Sequence, residues 1–146
     1  MTTPAKTKGT RLATLTEAWR ALLTDCPLPE PALVSLEPTV NRITIQAGGS
    51  QDPLNHLAEL LLWAYTLEQV TAQWWHTRDG NLHLTIHGRT ASGVALKVYG
   101  GIPIDSCAGL VPLAADESEG VSLDEMYTLL GLLRDHHHAL AAGVSA

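Results

Sequence analysis

Apolar residues recur at two different spacings along the chain, and the two spacings predict different elements. Three segments, beginning near residues 14, 52 and 122, carry apolar residues every three or four positions, as a helix with one buried face does. Five others read as short strands, and the clearest of them alternate apolar with polar residues. The predicted order is α-ββ-α-βββ-α. This order favours a single α+β domain with an antiparallel sheet of about five strands and the helices packed on one face.

Local signals set the ends of the predicted helices. Capping boxes are expected at the start of the first and third helices, and a proline-led start for the second. The signal residues are Thr14 and Glu17, Asp52 and Pro53, and Ser122 and Glu125. The first helix should end near Asp25, because the prolines that follow cannot continue a helix. Residues 100–120 contain glycine, proline and an acidic run, which predicts a long surface connection.

The second helix is apolar on more than one side. One stripe consists of Leu54, Leu57, Leu61 and Ala64, and a second of Leu60, Trp63 and Leu67. A helix of this kind lies at the centre of its domain or is shared with a second copy of the chain. The central position is the preferred interpretation. The second stripe, Leu60, Trp63 and Leu67, supplies the candidates for a homodimer interface.

The hairpin around Asp79–Gly80 decides which of two adjacent tryptophans faces the core. A two-residue turn would place His76 opposite His83, whereas a three-residue turn with a left-handed Gly80 places Trp75 opposite His83. The second register buries the apolar set of the strand, which includes Trp74, and leaves fewer polar groups without water. We therefore predict that register, with Trp74 buried and Trp75 exposed.

This register predicts a polar and aromatic surface on the side of the sheet away from the helices. Its members are Gln73, Trp75, His83, Thr85, His87, Lys97 and Tyr99. Tryptophan and tyrosine are enriched where proteins bind one another. The leading hypothesis is a non-enzymatic binding or regulatory protein that is a homodimer. It would engage a partner protein or peptide through this open face or through an unpaired strand edge.

Charge makes a nucleic-acid partner the less favoured alternative. The chain of 146 residues has a formal net charge of −6 at pH 7. Lys6, Lys8 and Arg11 add +3 in a predicted flexible leader, residues 1–11, which leaves −9 for the rest. Such a body should repel a phosphate backbone. The nucleic-acid hypothesis would need the leader together with Arg89 and Lys97.

The rest of the chain is predicted to be one globular domain, residues 12–140, followed by a frayed tail, residues 141–146. No apolar run reaches the roughly 18 residues that a membrane span needs. The leader lacks the apolar core of a signal peptide. The two cysteines form no disulfide framework, so free thiols and a cytoplasmic location are expected. A composition rich in Ala, Leu, Thr and Gly suggests a GC-rich bacterial genome.

From the histidines and cysteines of the sequence we predict no catalytic residue, no set of metal ligands and no cofactor. His83 and His87 share a strand face, but four residues separate them by about 13 Å, too far for one metal. The three histidines at 136–138 should fan outward around a helix. Cys107 stands in no nucleophile signature. A small-molecule site or small enzyme between the second helix and the sheet, using His83, His87 or Cys107, stays as the alternative.

Overall fold

A computed structural model of the chain describes residues 9–48 and 52–143. The helices are α1 Thr10–Asp25, α2 Pro53–Tyr65 and α3 Leu123–Ala141, with a 3-10 helix at Ile104–Cys107. The strands are β1 Leu33–Glu37, β2 Arg42–Gln46, β3 Glu68–His76, β4 Asn81–Arg89, β5 Ala95–Pro103 and β6 Ser118–Val121. The α+β class and the order of the predicted elements are confirmed. One strand, β6, was not predicted.

The six strands form one sheet in the order β1-β2-β5-β4-β3-β6. All neighbouring pairs are antiparallel except β2 and β5, which run parallel. The prediction of a purely antiparallel sheet of about five strands was therefore wrong in these two details. The hairpin β1–β2 joins the meander β3–β4–β5 through α2, and the return through this helix lets β2 lie alongside β5 in the same direction.

The segment 100–120 is more structured than a surface connection. Strand β5 extends to Pro103, and β6 pairs with the outer edge of β3. Backbone hydrogen bonds from His76 N–H to the Glu117 carbonyl (2.9 Å) and from Asp116 N–H to the His76 carbonyl (2.7 Å) precede this pairing. The strand therefore satisfies backbone groups of β3 that β4 does not reach.

Two of the three predicted helix starts are confirmed. Asp52 accepts a hydrogen bond from the Leu54 N–H, and Pro53 begins α2. Ser122 and Glu125 cap the first turn of α3 reciprocally. The predicted capping box at Thr14 was wrong, because the Thr14 hydroxyl donates to the Thr10 carbonyl inside a helix that begins one turn earlier.

The predicted leader and tail fall mainly outside the described residues. Residues 1–8 and 144–146 are not described, whereas Thr10 and Arg11 already belong to α1. The predicted end of α1 near Asp25 is confirmed.

Helix α2 is central in the core. Leu60 and Trp63 are 0% exposed and Leu67 is 8% exposed within the single chain. The Trp63 indole stacks on that of Trp19 from α1, with ring centres 6.1 Å apart. The three residues predicted for a homodimer interface are therefore packed against this chain's own elements, which corrects their assignment. The homodimer itself stays a prediction, with no surface assigned to it.

All three helices share one core with one side of the sheet. Inward strand residues such as Ile45, Ile86 and Val98 belong to the same buried cluster as Leu15 of α1 and Met126 of α3. Alternate residues of every strand consequently point to the other side, which we call the open face.

The predicted hairpin register is confirmed. Trp75 lies opposite His83 and Trp74 opposite Leu84, and Gly80 adopts a left-handed φ of +86° in the turn. Trp74 is 6% exposed and its neighbour Trp75 is 41% exposed. The open face thus carries one tryptophan, and the core takes the other.

Candidate functional site

The open face brings together all seven residues that the sequence predicted for a binding surface. Strand register arranges them in rows across β3, β4 and β5: Trp75 and His83; Gln73, Thr85 and Tyr99; His87 and Lys97. No helix of the described chain packs on this side of the sheet. Strand pairing fixes the positions of these residues relative to one another.

Three aromatic rings, those of Trp75, His83 and Tyr99, contact one another diagonally across three neighbouring strands, and we call them the aromatic row. The ring centres of Trp75 and His83 are 6.1 Å apart at an interplanar angle of 66°. The rings of His83 and Tyr99 stack with centres 5.7 Å apart and an angle of 27°. Lys97 Nζ lies 5.8 Å from the centre of the Tyr99 ring. These contacts between neighbouring rings restrict the orientation of the Trp75 side chain.

A shallow depression of about 250 Å³ adjoins Trp75 and His83. Gln73, Thr85, Asp116 and Ser118 supply its polar lining. Arg78 forms an ion pair with Asp116 at its rim. The depression therefore combines apolar rings with several hydrogen-bonding groups.

A second group of side chains, the basic array, consists of Arg42 and Arg89 at the other end of the open face and of Lys97, which extends toward Tyr99. Ala95 of β5 stands between Arg42 of β2 and Arg89 of β4 in strand register. Lys97 follows Ala95 on the same face, two residues along β5. The sequence hypothesis included Arg89 and Lys97 but missed Arg42, because only the parallel pairing of β2 with β5 brings that residue here.

The field of these cations reaches the two histidines of the open face. Burial and the Lys97 charge hold the pKa of His83 below its usual 6.5. Burial, Lys97 and Arg42 likewise lower the pKa of His87. Both imidazoles are therefore expected to be neutral at pH 7 and able to donate and accept hydrogen bonds.

One carboxylate is drawn into the edge of the basic array. Glu37 of β1 accepts hydrogen bonds from the Thr44 hydroxyl and from Arg42 Nε, and these bonds lower the pKa of its carboxyl group. Within residues 9–48 and 52–143, no ion pair reaches Arg89 or Lys97. Arg89 and Lys97 thus have no carboxylate of the described chain within ion-pair distance, although the Lys97 charge also helps to lower the pKa of Glu37.

The residues named for a small enzyme do not converge. Cys107 is buried in the core, where burial raises the pKa of its thiol to about 11. His83 and His87 lie on the open face, on the other side of the sheet. The separation prevents His83 and His87 from acting as the base that would activate the Cys107 thiol.

The contact between α2 and the sheet is also tight near its one buried histidine. The His56 Nε2 atom has no hydrogen-bond partner in the described structure. It lies only 2.4 Å from the position that a Cβ on Gly100 would take, which leaves no room for a ligand between them. A small-molecule site at this point of the α2–sheet contact is not supported.

Across the residues that the structure describes, no three His, Cys, Asp or Glu side chains are close enough together to hold a metal ion. His136, His137 and His138 are each exposed along α3.

Within residues 9–48 and 52–143, none of the helices is both long and apolar enough to cross a membrane.

Comparison with protein-family models, with curated proteins and with solved structures gave no match to this chain.

Proposed function

We propose that this protein is a non-enzymatic binding protein whose open face engages an extended segment of a partner protein. The observation that carries the proposal is the aromatic row, three rings on neighbouring strands of a sheet face that no helix of the described chain covers. Isolated surface tryptophans are common, but here each ring is held by the next. A held ring loses less conformational entropy on binding than a free one.

The exposed part of Trp75 is large enough to matter for affinity. With 41% of its surface accessible, it offers about 100 Å² to a partner. At about 25 cal/mol per Å², full burial of this area corresponds to at most about 2.5 kcal/mol before the costs of association are subtracted. This is the size of contribution that a central interface residue makes.

The surrounding groups suit a polypeptide. Gln73 and Thr85 stand beside the aromatic row, and side chains of this kind can form hydrogen bonds with the amides of an extended segment.

Both cysteines, Cys26 and Cys107, are free thiols, which is consistent with a protein of the reducing cytoplasm.

Selection of peptides that depend on Trp75 tests the proposal. A phage-displayed library of random peptides is panned on the full chain, and the recovered peptides are titrated against wild type, Trp75→Ala and Tyr65→Ala. Tyr65 is the matched control, because it is an exposed aromatic residue on the helical side, 55% accessible. We expect Trp75→Ala to weaken binding by about tenfold or more, and Tyr65→Ala to leave it unchanged. Failure to recover any peptide that loses affinity with Trp75→Ala would refute the proposal.

A further inference from the structure

The open face has a charge opposite to that of the chain as a whole. The chain carries 9 Lys and Arg against 15 Asp and Glu. Three of those nine cations nevertheless form the basic array on β2, β4 and β5, where Arg42 and Arg89 flank Ala95. Since adjacent strands are about 4.8 Å apart, the Cα atoms of the two arginines are about 10 Å apart. A carboxylate above Ala95 would therefore lie between the two arginine-bearing strands, about 5 Å from each.

The carboxylates nearby do not neutralise the array. Glu37 pairs with Arg42 through a contact of 3.0 Å to Arg42 Nε. Glu68 stands opposite Arg89 in strand register, but no ion pair joins them. Arg89 instead donates from Nη1 to the Gly93 carbonyl, at 2.9 Å. The array is left with more positive than negative charge on a chain of the opposite sign.

The surface here also has a shape that can receive a side chain. A depression of about 240 Å³ lies among Arg42, His87, Arg89 and Ala95, with Gln69 of β3 at one side. Because Ala95 is small, the floor between the two arginines is low. The neutral imidazole of His87 adds a hydrogen-bonding group to the lining.

We infer that the partner segment is acidic, with carboxylates that bind the basic array and an apolar residue that contacts the aromatic row. This inference rests on the proposed function and names the chemistry of its partner. The row of Ala95 and the row of Gly101 and His83 are six residues apart along β5. At about 3.3 Å per residue that is about 20 Å, so an extended segment of about seven residues spans both sites.

A single-stranded nucleic acid fits the same surface less well. Bases bind such sheets by stacking on exposed aromatic faces, with cations following the backbone. Here the faces of His83 and Tyr99 are turned toward each other, and Lys97 approaches the Tyr99 ring as well. Arg42 and Arg89 lie at the other end of the face from Trp75, so that Lys97 is the one member of the basic array beside a ring. The acidic peptide is therefore the occupant that the geometry favours.

Fluorescent peptides of about nine residues test the inference. Each has two adjacent glutamates and a tryptophan about six positions away, in both orders, and a matched set has glutamines in place of the glutamates. Affinities are measured by anisotropy for wild type, for the double variant Arg89→Gln/Lys97→Gln, and for Arg20→Gln/Arg134→Gln. The last variant removes the same charge from α1 and α3 and serves as the control.

We expect the better glutamate peptide to bind about tenfold more tightly than its glutamine counterpart. This advantage should disappear in Arg89→Gln/Lys97→Gln and persist in Arg20→Gln/Arg134→Gln. Equal affinity of the glutamate and glutamine peptides would overturn the inference. The proposed function fails separately, if no selected peptide depends on Trp75. Tighter binding of a single-stranded oligothymidylate of about 12 nucleotides, lost in the same double variant, would also overturn it and identify a nucleic acid instead.

Discussion

Gly88 lies at a close approach between β4 and the segment that leads from α2 into β3. It follows Leu82, Leu84 and Ile86 on the inward side of β4, where the pattern calls for another apolar side chain. A Cβ added there would lie 2.8 Å from Leu67 Cβ and 3.2 Å from the Glu68 carbonyl oxygen. Both atoms are fixed to the backbone, so neither can move aside without shifting the chain.

The cost of Gly88→Ala can be worked out from these contacts. Its φ is not in the left-handed region, so alanine meets no backbone penalty. Overpacking of a tight contact destabilises by about 1–3 kcal/mol, whereas losing a glycine stabilises by about 0.4–1 kcal/mol through the unfolded state. The net expectation is a loss of about 1–2 kcal/mol.

Gly101→Ala is the matched control. Gly101 is also a strand glycine, but it is on the open face, and its added Cβ would meet only the Leu82 carbonyl oxygen, at 3.6 Å. That variant should be neutral or more stable by up to about 1 kcal/mol. The two variants should thus differ by about 2 kcal/mol.

Urea unfolding measured by tryptophan fluorescence and circular dichroism separates the two variants. With a slope of about 2 kcal/mol per M, their midpoints should differ by about 1 M, Gly88→Ala being the lower. Equal midpoints at equal slopes would show that the segment around Leu67 yields freely, and the packing argument would be wrong.

Three further predictions concern a cap, a thiol and a histidine. Ser122→Ala removes the capping oxygen of α3 and should cost about 1 kcal/mol in thermal unfolding, whereas Ser122→Gly should cost only about a few tenths; equal loss in both would contradict the capping role. Cys107, with a thiol pKa raised to about 11 by burial, should react with iodoacetamide much more slowly than the half-buried Cys26 until the chain is unfolded. A fast reaction of native Cys107 would contradict this. Lys97→Gln should raise the pKa of His83 in an NMR titration, because the Lys97 charge helps to keep it below 6.5. The pKa of His83 is lower in the folded state than in the unfolded state, so the folded state is fully favoured above pH 6.5 and loses free energy of unfolding as the pH falls and His83 is protonated. Lys97→Gln should reduce this loss. An unchanged His83 titration would refute this reasoning.

Local signals predicted the parts of the fold that depend on neighbouring residues. The Asp79–Gly80 turn and the alternation on either side of it fixed the register, and with it the choice between Trp74 and Trp75. The capping residues of α2 and α3 were equally legible, because a cap is formed within one turn of helix.

The parts that depend on distant pairing were not predictable in this way. Strand β6 has only four residues, Ser118–Val121, with no alternation, and it forms because the edge of β3 offers backbone partners. The parallel contact of β2 with β5 has no local signature, so Arg42 could not be placed beside Ala95. The burial of α2 agrees with the preferred interpretation that it is the central helix, but its two apolar stripes alone could not exclude a second copy of the chain as the cover for one of them.

The parallel seam between β2 and β5 has a consequence for how the chain reaches its folded state. Arg42 and Ala95 are neighbours in the sheet although about fifty residues separate them in the chain. The hairpin and the meander can each form from near neighbours, but closing the seam requires a long loop to be ordered first. We therefore expect the seam to form late in folding. The two arginines around Ala95 would then come together only in the completed sheet, so that a chain halted on the way would present its aromatic rings without its cationic pair.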